Sequence, residues 1–267
     1  MRIVSLAPSN TEILFAIGAG AEIVGRTAYC DFPPEAKKIP KLGDWANPDP
    51  GAIKRLKPDL VLTSTVVQER LAKTLDSEGL PVLHLSPRDL GGVFGSILDI
   101  GGATGRLARA EALVEGMARG LDEIKAEQDA SDRRPRLYIE EWHDPPFVSG
   151  NWVPELAEIA GAEWELIRKG SLSRKVTADE VRSFDPEIIA LSICGVKLSR
   201  EALARREGWG GISAVKNENI VVLDDSLLNR PGPRLVLGCR AIRDAVTSFS
   251  SRGACSGRGS RGTRVSR

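Results

Sequence analysis

The chain has 267 residues, 42 % of them hydrophobic, enough for a sizeable core in two small domains or one large one. Its 37 basic and 36 acidic residues leave a formal net charge of +1. That balance excludes an electrostatic nucleic-acid binder, which needs a basic stripe, and any general attraction to anionic membranes.

No apolar run reaches the ~18 residues of a membrane span. The segment Met1 to Gly20 does not read as a secretory signal. It holds one Arg, and Ser5, Ser9, Asn10, Thr11 and Glu12 interrupt its apolar pattern. The sequence as written therefore predicts a cytoplasmic location, or a periplasmic or cell-surface one if an export signal has been removed. Cys30, Cys194, Cys239 and Cys255 show no CxxC spacing, and two histidines are too few for a zinc site. Four reduced, mostly buried thiols are expected.

In chain order, Arg2–Leu6 reads as a strand. A helix capped by Ser9 or Asn10 runs from there to Gly18, and Ile23-Val24-Gly25 resumes a strand. Asp59–Thr63, after a Lys-Pro-Asp turn, reads as a buried parallel strand, Glu69–Glu78 as a helix and Pro81–Leu85 as the next strand. From Leu90 to Gln128 the apolar spacing is helical, with a break expected at Gly101-Gly102. A helix from Arg106 to Gln128 would be ~34 Å long.

A second alternating series follows: Leu137–Ile139, Ile188–Leu191 and Ile220–Leu223 as strands, with Pro154–Ala160, Arg200–Arg206 and Pro233–Val246 as helices. The pattern predicts an α/β protein of two Rossmann-like lobes joined by one long backbone helix. The expected divisions are an N-terminal lobe over 1–104, a connecting helix over 105–130, a C-terminal lobe over 131–247 and a disordered Ser/Gly/Arg tail over 248–267. Ile53–Val61 and Val181–Ile189 share a local pattern of helix end, Pro, acidic residue and apolar strand.

The sequence holds no Walker loop, dinucleotide loop, HExxH or GxSxG. Glu140 and Glu141 are adjacent and, on a strand, point to opposite faces, so they do not form an acid/base pair. Neither an enzyme nor a catalytic cofactor is expected, and no metal site. What remains is a set of aromatics on loops after strands: Tyr29, Phe32 and Trp45 in the first half, Trp142, Phe147 and Trp152 in the second. Loops at the carboxyl ends of parallel strands face the ligand crevice, and exposed aromatics there suit a flat apolar ligand.

The stretch from Arg2 to Trp45, RIVSLAPSNTEILFAIGAGAEIVGRTAYCDFPPEAKKIPKLGDW, carries a strand-end Pro, a Thr-Glu pair and a Tyr-x-Asp-x-Pro run. Together with KPDLVL (57–62), DPPFVSGNWVPELAEIAGA (144–162) and RPGPRLVLG (230–238), it resembles the substrate-binding protein family of the cobalamin ABC importer. The likeness is colinear over roughly 2–246. It implies the class III periplasmic-binding-protein fold, with cobalamin held between two lobes by a pre-formed crevice and a monomer that docks on an importer permease. It places Tyr29 and Trp45 against the corrin, and Asp225 or Ser226 with Arg230 on the ligand from the second lobe. Ser64 or Thr65 stands where the family has a Trp, for which Trp142 and Trp152 can compensate. The permease-docking carboxylates correspond to Asp179, with Glu180 adjacent, and to Gly51, with Asp49 nearby.

His143 reads first as a loop histidine bonded to Asp144 or Glu141, with cobalt or iron ligation as the alternative. Rival ligands on the same fold are haem, a ferric siderophore or another metal chelate. A cytoplasmic corrinoid carrier or sensor is the rival role.

Overall fold

The computed structural model describes residues 1–128, 133–195 and 200–256. The chain divides into two compact units. The first comprises Met1–Gly120 and Arg230–Val236; the second comprises Leu121–Asn229 and the residues from Leu237 on.

In the first unit, β1 (Ile3–Ser5) is buried throughout and leads into α1 (Pro8–Ala16). Pro8 occupies the first helical turn, where its missing N–H is no loss. The expected caps, Ser9 and Asn10, instead lie inside the helix and are buried, and Ala7 is the capping residue. There follow β2 (Ile23–Arg26), α2 (Pro50–Arg55), β3 (Leu60–Ser64), α3 (Glu69–Ser77), β4 (Val82–Leu85), α4 (Leu90–Ala103) and α5 (Leu107–Ala126). The sheet order is β2-β1-β3-β4, all parallel. Val4, Leu6, Leu42, Ile53, Val61 and Leu75 pack as one buried cluster, which accounts for the near-continuous apolar runs of β1 and β3.

The helical stretch breaks three residues later than its glycines suggest. α4 continues through Gly101 and Gly102, and the turn falls at Thr104–Arg106, with Gly105 at φ +66°. Gly101 serves close packing instead: a Cβ there would lie 2.4 Å from that of Ala110. The predicted connecting helix 105–130 is observed as Leu107–Ala126, and the division between units falls inside it, between Gly120 and Leu121.

The second unit contains β5 (Leu137–His143), β6 (Pro146–Val148), α6 (Val153–Ile159), β7 (Arg174–Lys175), α7 (Ala178–Phe184), β8 (Ile188–Leu191), α8 (Arg200–Ala204), α9 (Ser213–Lys216), β9 (Ile220–Val222) and α10 (Leu235–Ser256). The order is β7-β6-β5-β8-β9; β5, β8 and β9 run parallel, and β6 and β7 are antiparallel additions. Tyr138, Val148, Ile189, Leu191, Leu203 and Trp209 belong to its core. The β5–β6 hairpin is not legible in the sequence. β5 runs four residues past its predicted end, and a register shift between Glu140 and Trp142 makes Glu141 a bulge residue.

Two expected boundaries are corrected. Residues 230–236 group with the first unit, not with the C-terminal lobe. The tail expected to be disordered from 248 is helical as far as Ser256. No proline interrupts it, and the Ser250 and Ser251 hydroxyls fold back onto the carbonyls of Val246 and Thr247 at 3.2 and 3.0 Å. Residues 257–267, 129–132 and 196–199 lie outside the described residues.

Candidate ligand-binding site

Helix α1 buries polar residues as well as apolar ones, which is costly unless each finds a partner. Asn10, Thr11 and Glu12 each do, at the carboxyl edge of the first sheet. Thr11 shares a 2.7 Å hydrogen bond with Ser5, and Asn10 Nδ2 donates to the Thr63 carbonyl at 3.2 Å. Glu12, 4 % exposed, accepts from Arg230 Nη1 (3.0 Å), Arg234 Nε (2.8 Å) and Arg234 Nη2 (2.6 Å).

Arg230 Nη1 also donates to Asp31 at 2.8 Å. Burial by itself would raise the Asp31 carboxyl; the hydrogen bond and charge of Arg230 outweigh it and hold that carboxyl below its ordinary value. Arg234 stacks on the Phe32 ring, 4.2 Å from its centroid. The sequence places Arg230 on the second lobe. The structure places it in the first unit, because the chain returns there over residues 230–236.

The loop after β2 is shaped from within. Buried Arg26 donates to the carbonyls of Thr27 (2.9 Å) and Lys37 (3.0 Å). Cys30 turns inward beside Thr27 Oγ1 at 3.3 Å, and burial pushes its thiol up. Its neighbours Tyr29 and Phe32 are left 58 % and 41 % exposed.

Gln68, fully buried, ties three segments of this edge together. It donates to the Leu6 and Trp45 carbonyls, both at 2.8 Å, and accepts from Ser64 N at 2.8 Å. Trp45 is half-buried, and its Nε1 has no partner among the described residues. Ser64 is buried at the end of β3. Beside it, Thr65 adopts φ +64°, a strained conformation for a β-branched residue of the kind concentrated at functional sites.

In the second unit, Trp142 and His143 end β5. Trp142 is 42 % exposed, donates from Nε1 to the Asp144 carbonyl at 2.8 Å, and lies 5.6 Å from the His143 ring centre. His143 Nδ1 is buried and meets no hydrogen-bond partner among the described residues, so the bond to Asp144 or Glu141 is not seen there.

Glu140 is fully buried and takes Arg206 as a fork, at 2.7 and 2.8 Å; it also accepts from Tyr138 Oη at 3.0 Å. Arg206 continues to the His143 carbonyl at 3.2 Å and stacks on Trp209 at 4.5 Å. Glu141 is half-buried, and desolvation pushes its carboxyl up to about 7 against the opposing Ser173 hydroxyl. Glu140 and Glu141 thus have separate environments, as their adjacency predicts. Trp152 is 4 % exposed, stands at the N-cap position of α6 and donates from Nε1 to the Leu228 carbonyl at 2.8 Å. Asp225 is half-buried and accepts from Cys194 at 3.1 Å; that cysteine is exposed, not buried, whereas Cys30 and Cys239 are buried.

Of the docking candidates, Asp179 is exposed and paired with Arg182. Glu180 is committed to a capping box with Thr177 and to Arg174 at 2.8 Å. Asp49 caps α2 through Gly51 N at 2.8 Å. Glu12, Gln68, Arg206 and Arg234 escaped the sequence reading. The one available signal was Glu12, the single charged residue of the first helix.

No group of three metal-ligating side chains occurs among the described residues, and no described helix is long and apolar enough to cross a membrane. An ABC transporter substrate-binding lipoprotein of Bacillus subtilis (strain 168), YvrC, is 32 % identical over 92 % of this chain and 79 % of its own length. The vitamin B12-binding protein of Pectobacterium carotovorum is 23 % identical over 93 % of this chain and 89 % of its own. A periplasmic heme-binding protein from Pseudomonas aeruginosa superposes with a TM-score of 0.80 at 22 % identity, covering 93 % of both chains, a likeness of fold. The family model for periplasmic binding proteins matches residues 3–227. With those residues spanning both α/β units, the chain belongs to the periplasmic binding protein family, whose members bind substrates and are not enzymes.

Proposed function

We propose that this chain is the substrate-binding protein of an ABC-type importer and that its ligand is a corrinoid such as cobalamin. The observation that carries this reading is the exposure of Tyr29, Phe32 and Trp142 at the carboxyl edges of the two sheets. Exposing three large rings is unfavourable in water, and a flat macrocycle would cover them. Trp45, Arg230 and Asp225 complete the proposed contacts, with the charged pair serving the amide rim. The B12-binding relative supports the choice of ligand. The lipoprotein relative supports a periplasmic or cell-surface location over a cytoplasmic carrier. Exposed Asp179 is the proposed permease contact.

A second reading, haem, is favoured by one observation: the His143 Nδ1 without a partner, beside an exposed Trp. An imidazole nitrogen without a hydrogen-bond partner keeps its lone pair uncommitted, and that lone pair is what iron or cobalt ligation uses.

Visible absorption titrations of the purified protein with cyanocobalamin, aquocobalamin and haemin test both. Saturable one-to-one binding of a corrinoid at micromolar affinity or tighter supports the first reading. A shifted aquocobalamin spectrum that His143→Ala abolishes assigns that imidazole to cobalt. Silence with both corrinoids and saturation with haemin overturns the corrinoid in favour of haem.

A further inference from the structure

We propose that Asp31 is a specificity residue: by closing Arg230 into a charge-neutral quartet with Glu12 and Arg234, it makes this face prefer a macrocycle with an uncharged, amide-bearing rim over one carrying ionised carboxylates. The inference rests on the reading that a macrocycle binds at the carboxyl edge of the first unit.

Four charges meet there within hydrogen-bond distance. Arg230 bridges Glu12 at 3.0 Å and Asp31 at 2.8 Å, and Arg234 forks onto Glu12. Two guanidinium groups therefore face two carboxylates. Lys37 lies within electrostatic reach of Asp31 but is exposed to screening solvent. Glu12 is buried and holds both arginines, so it is a fixed counter-ion. Asp31, 48 % exposed on its side chain, is the adjustable one.

An arginine that receives a ligand carboxylate presents an unneutralised fork to it. Here an incoming carboxylate, whichever N–H of Arg230 it takes, lies beside Asp31 as a like charge. An amide meets no such conflict, since its carbonyl can accept from a guanidinium N–H while its NH2 donates to Asp31. The arrangement neither attracts nor requires net charge on the ligand, and it penalises added negative charge.

The test compares wild type, Asp31→Asn and Asp31→Glu in titrations with cyanocobalamin and with haemin, whose two propionates are ionised at neutral pH. Asp31→Asn keeps the shape and removes the charge on a solvent-facing loop, and a thermal melt checks that folding is unaffected. The expected result is a gain of about tenfold in haemin affinity relative to cyanocobalamin for Asp31→Asn, the size of one uncovered charge at close range. That gain should shrink in high salt, and Asp31→Glu should keep the wild-type ratio. An unchanged ratio in Asp31→Asn, with cyanocobalamin still bound, overturns the role of Asp31 and leaves the proposed ligand standing. Failure of the wild type to bind either macrocycle overturns both.

Discussion

Arg2 and Asp59 are joined by a 2.7 Å hydrogen bond from the Arg2 backbone N–H to the Asp59 carboxylate, and the second unit repeats that contact between Arg136 and Glu187 at 3.3 Å. The surroundings repeat as well. Arg2 Nε donates to the Leu56 carbonyl and Arg136 Nε to the Asp185 carbonyl, both at 2.8 Å. Asp59 N and Glu187 N return bonds to Arg2 and Arg136 carbonyls, each at 2.8 Å. Lys57 (φ +46°) and Asp185 (φ +47°) end helices α2 and α7 in the left-handed conformation just before Pro58 and Pro186. The shared sequence pattern of 53–61 and 181–189 is thus a shared structure: one device for turning a helix into a central parallel strand, used once in each unit.

The two copies differ in burial, which makes them a controlled pair. Asp59 is exposed, whereas Glu187 is nearly buried and also holds Arg133 at 2.5 Å. Glu187→Ala is expected to cost about 2 kcal/mol and Asp59→Ala about 0.5–1 kcal/mol, because only the first removes a buried carboxylate and leaves a part-buried donor, the Arg136 N–H, without its partner. Urea unfolding of the two variants measures the difference; equal costs would show that burial does not separate them.

The Glu140–Arg206 pair is the most deeply buried charge in the second unit, with side-chain exposures of 0 % and 19 %. Arg206→Met is expected to cost about 3–5 kcal/mol, since it strands a desolvated carboxylate and removes the cation stacked on Trp209. Adding Glu140→Gln should restore part of the loss, giving a coupling of more than about 1 kcal/mol in a double-mutant cycle. Strict additivity of the two changes would contradict direct pairing.

Glu141 gives stability a pH dependence of definite sign. Its folded pKa, about 7, lies above the ordinary glutamate value of 4.5, so the folded state binds more protons between those values. Stability contributed by this group is full below about pH 4.5, falls as pH rises, and is gone above about pH 7. The two values cap the effect at about 3 kcal/mol, less the relief that its partial exposure gives. Glu141→Gln should raise the urea midpoint at pH 8 and flatten the pH 5–8 dependence. A variant that is no more stable than wild type at pH 8 would refute this.

The fold was legible because apolar runs bounded by Pro and Gly have few other uses: β1, β3, β4, β8 and β9 lie where alternation predicts parallel strands. The β5–β6 hairpin was not, since Trp142, His143 and Pro146 carry no strand period and the bulge at Glu141 breaks the alternation. The aromatic half of the candidate site was partly legible. Tyr29 and Phe32 are exposed after β2 and Trp142 at the end of β5, but Trp152, another aromatic beside Gly and Pro, is buried, and composition cannot tell them apart. Nor does any local pattern show that Glu12 and Arg234, 222 positions apart, share hydrogen bonds. That pairing depends on the chain returning to the first unit at residue 230.

The contrast between the two tryptophans is itself a test of the proposed site. Trp142 offers an exposed ring and one backbone hydrogen bond, whereas Trp152 is enclosed and bonded to Leu228. Trp142→Ala is expected to weaken cyanocobalamin binding about 10- to 100-fold, the worth of a ring stacked on an apolar ligand, while moving stability by less than about 1 kcal/mol. Trp152→Ala should do the reverse, costing about 3–5 kcal/mol of folding stability and leaving the affinity of the protein that remains folded within a few-fold of wild type. Parallel calorimetric titrations and urea melts distinguish these outcomes. A Trp142→Ala variant with unchanged affinity would remove the second unit's aromatic from the site and leave Tyr29, Phe32 and Trp45 as the rings that a macrocycle must meet.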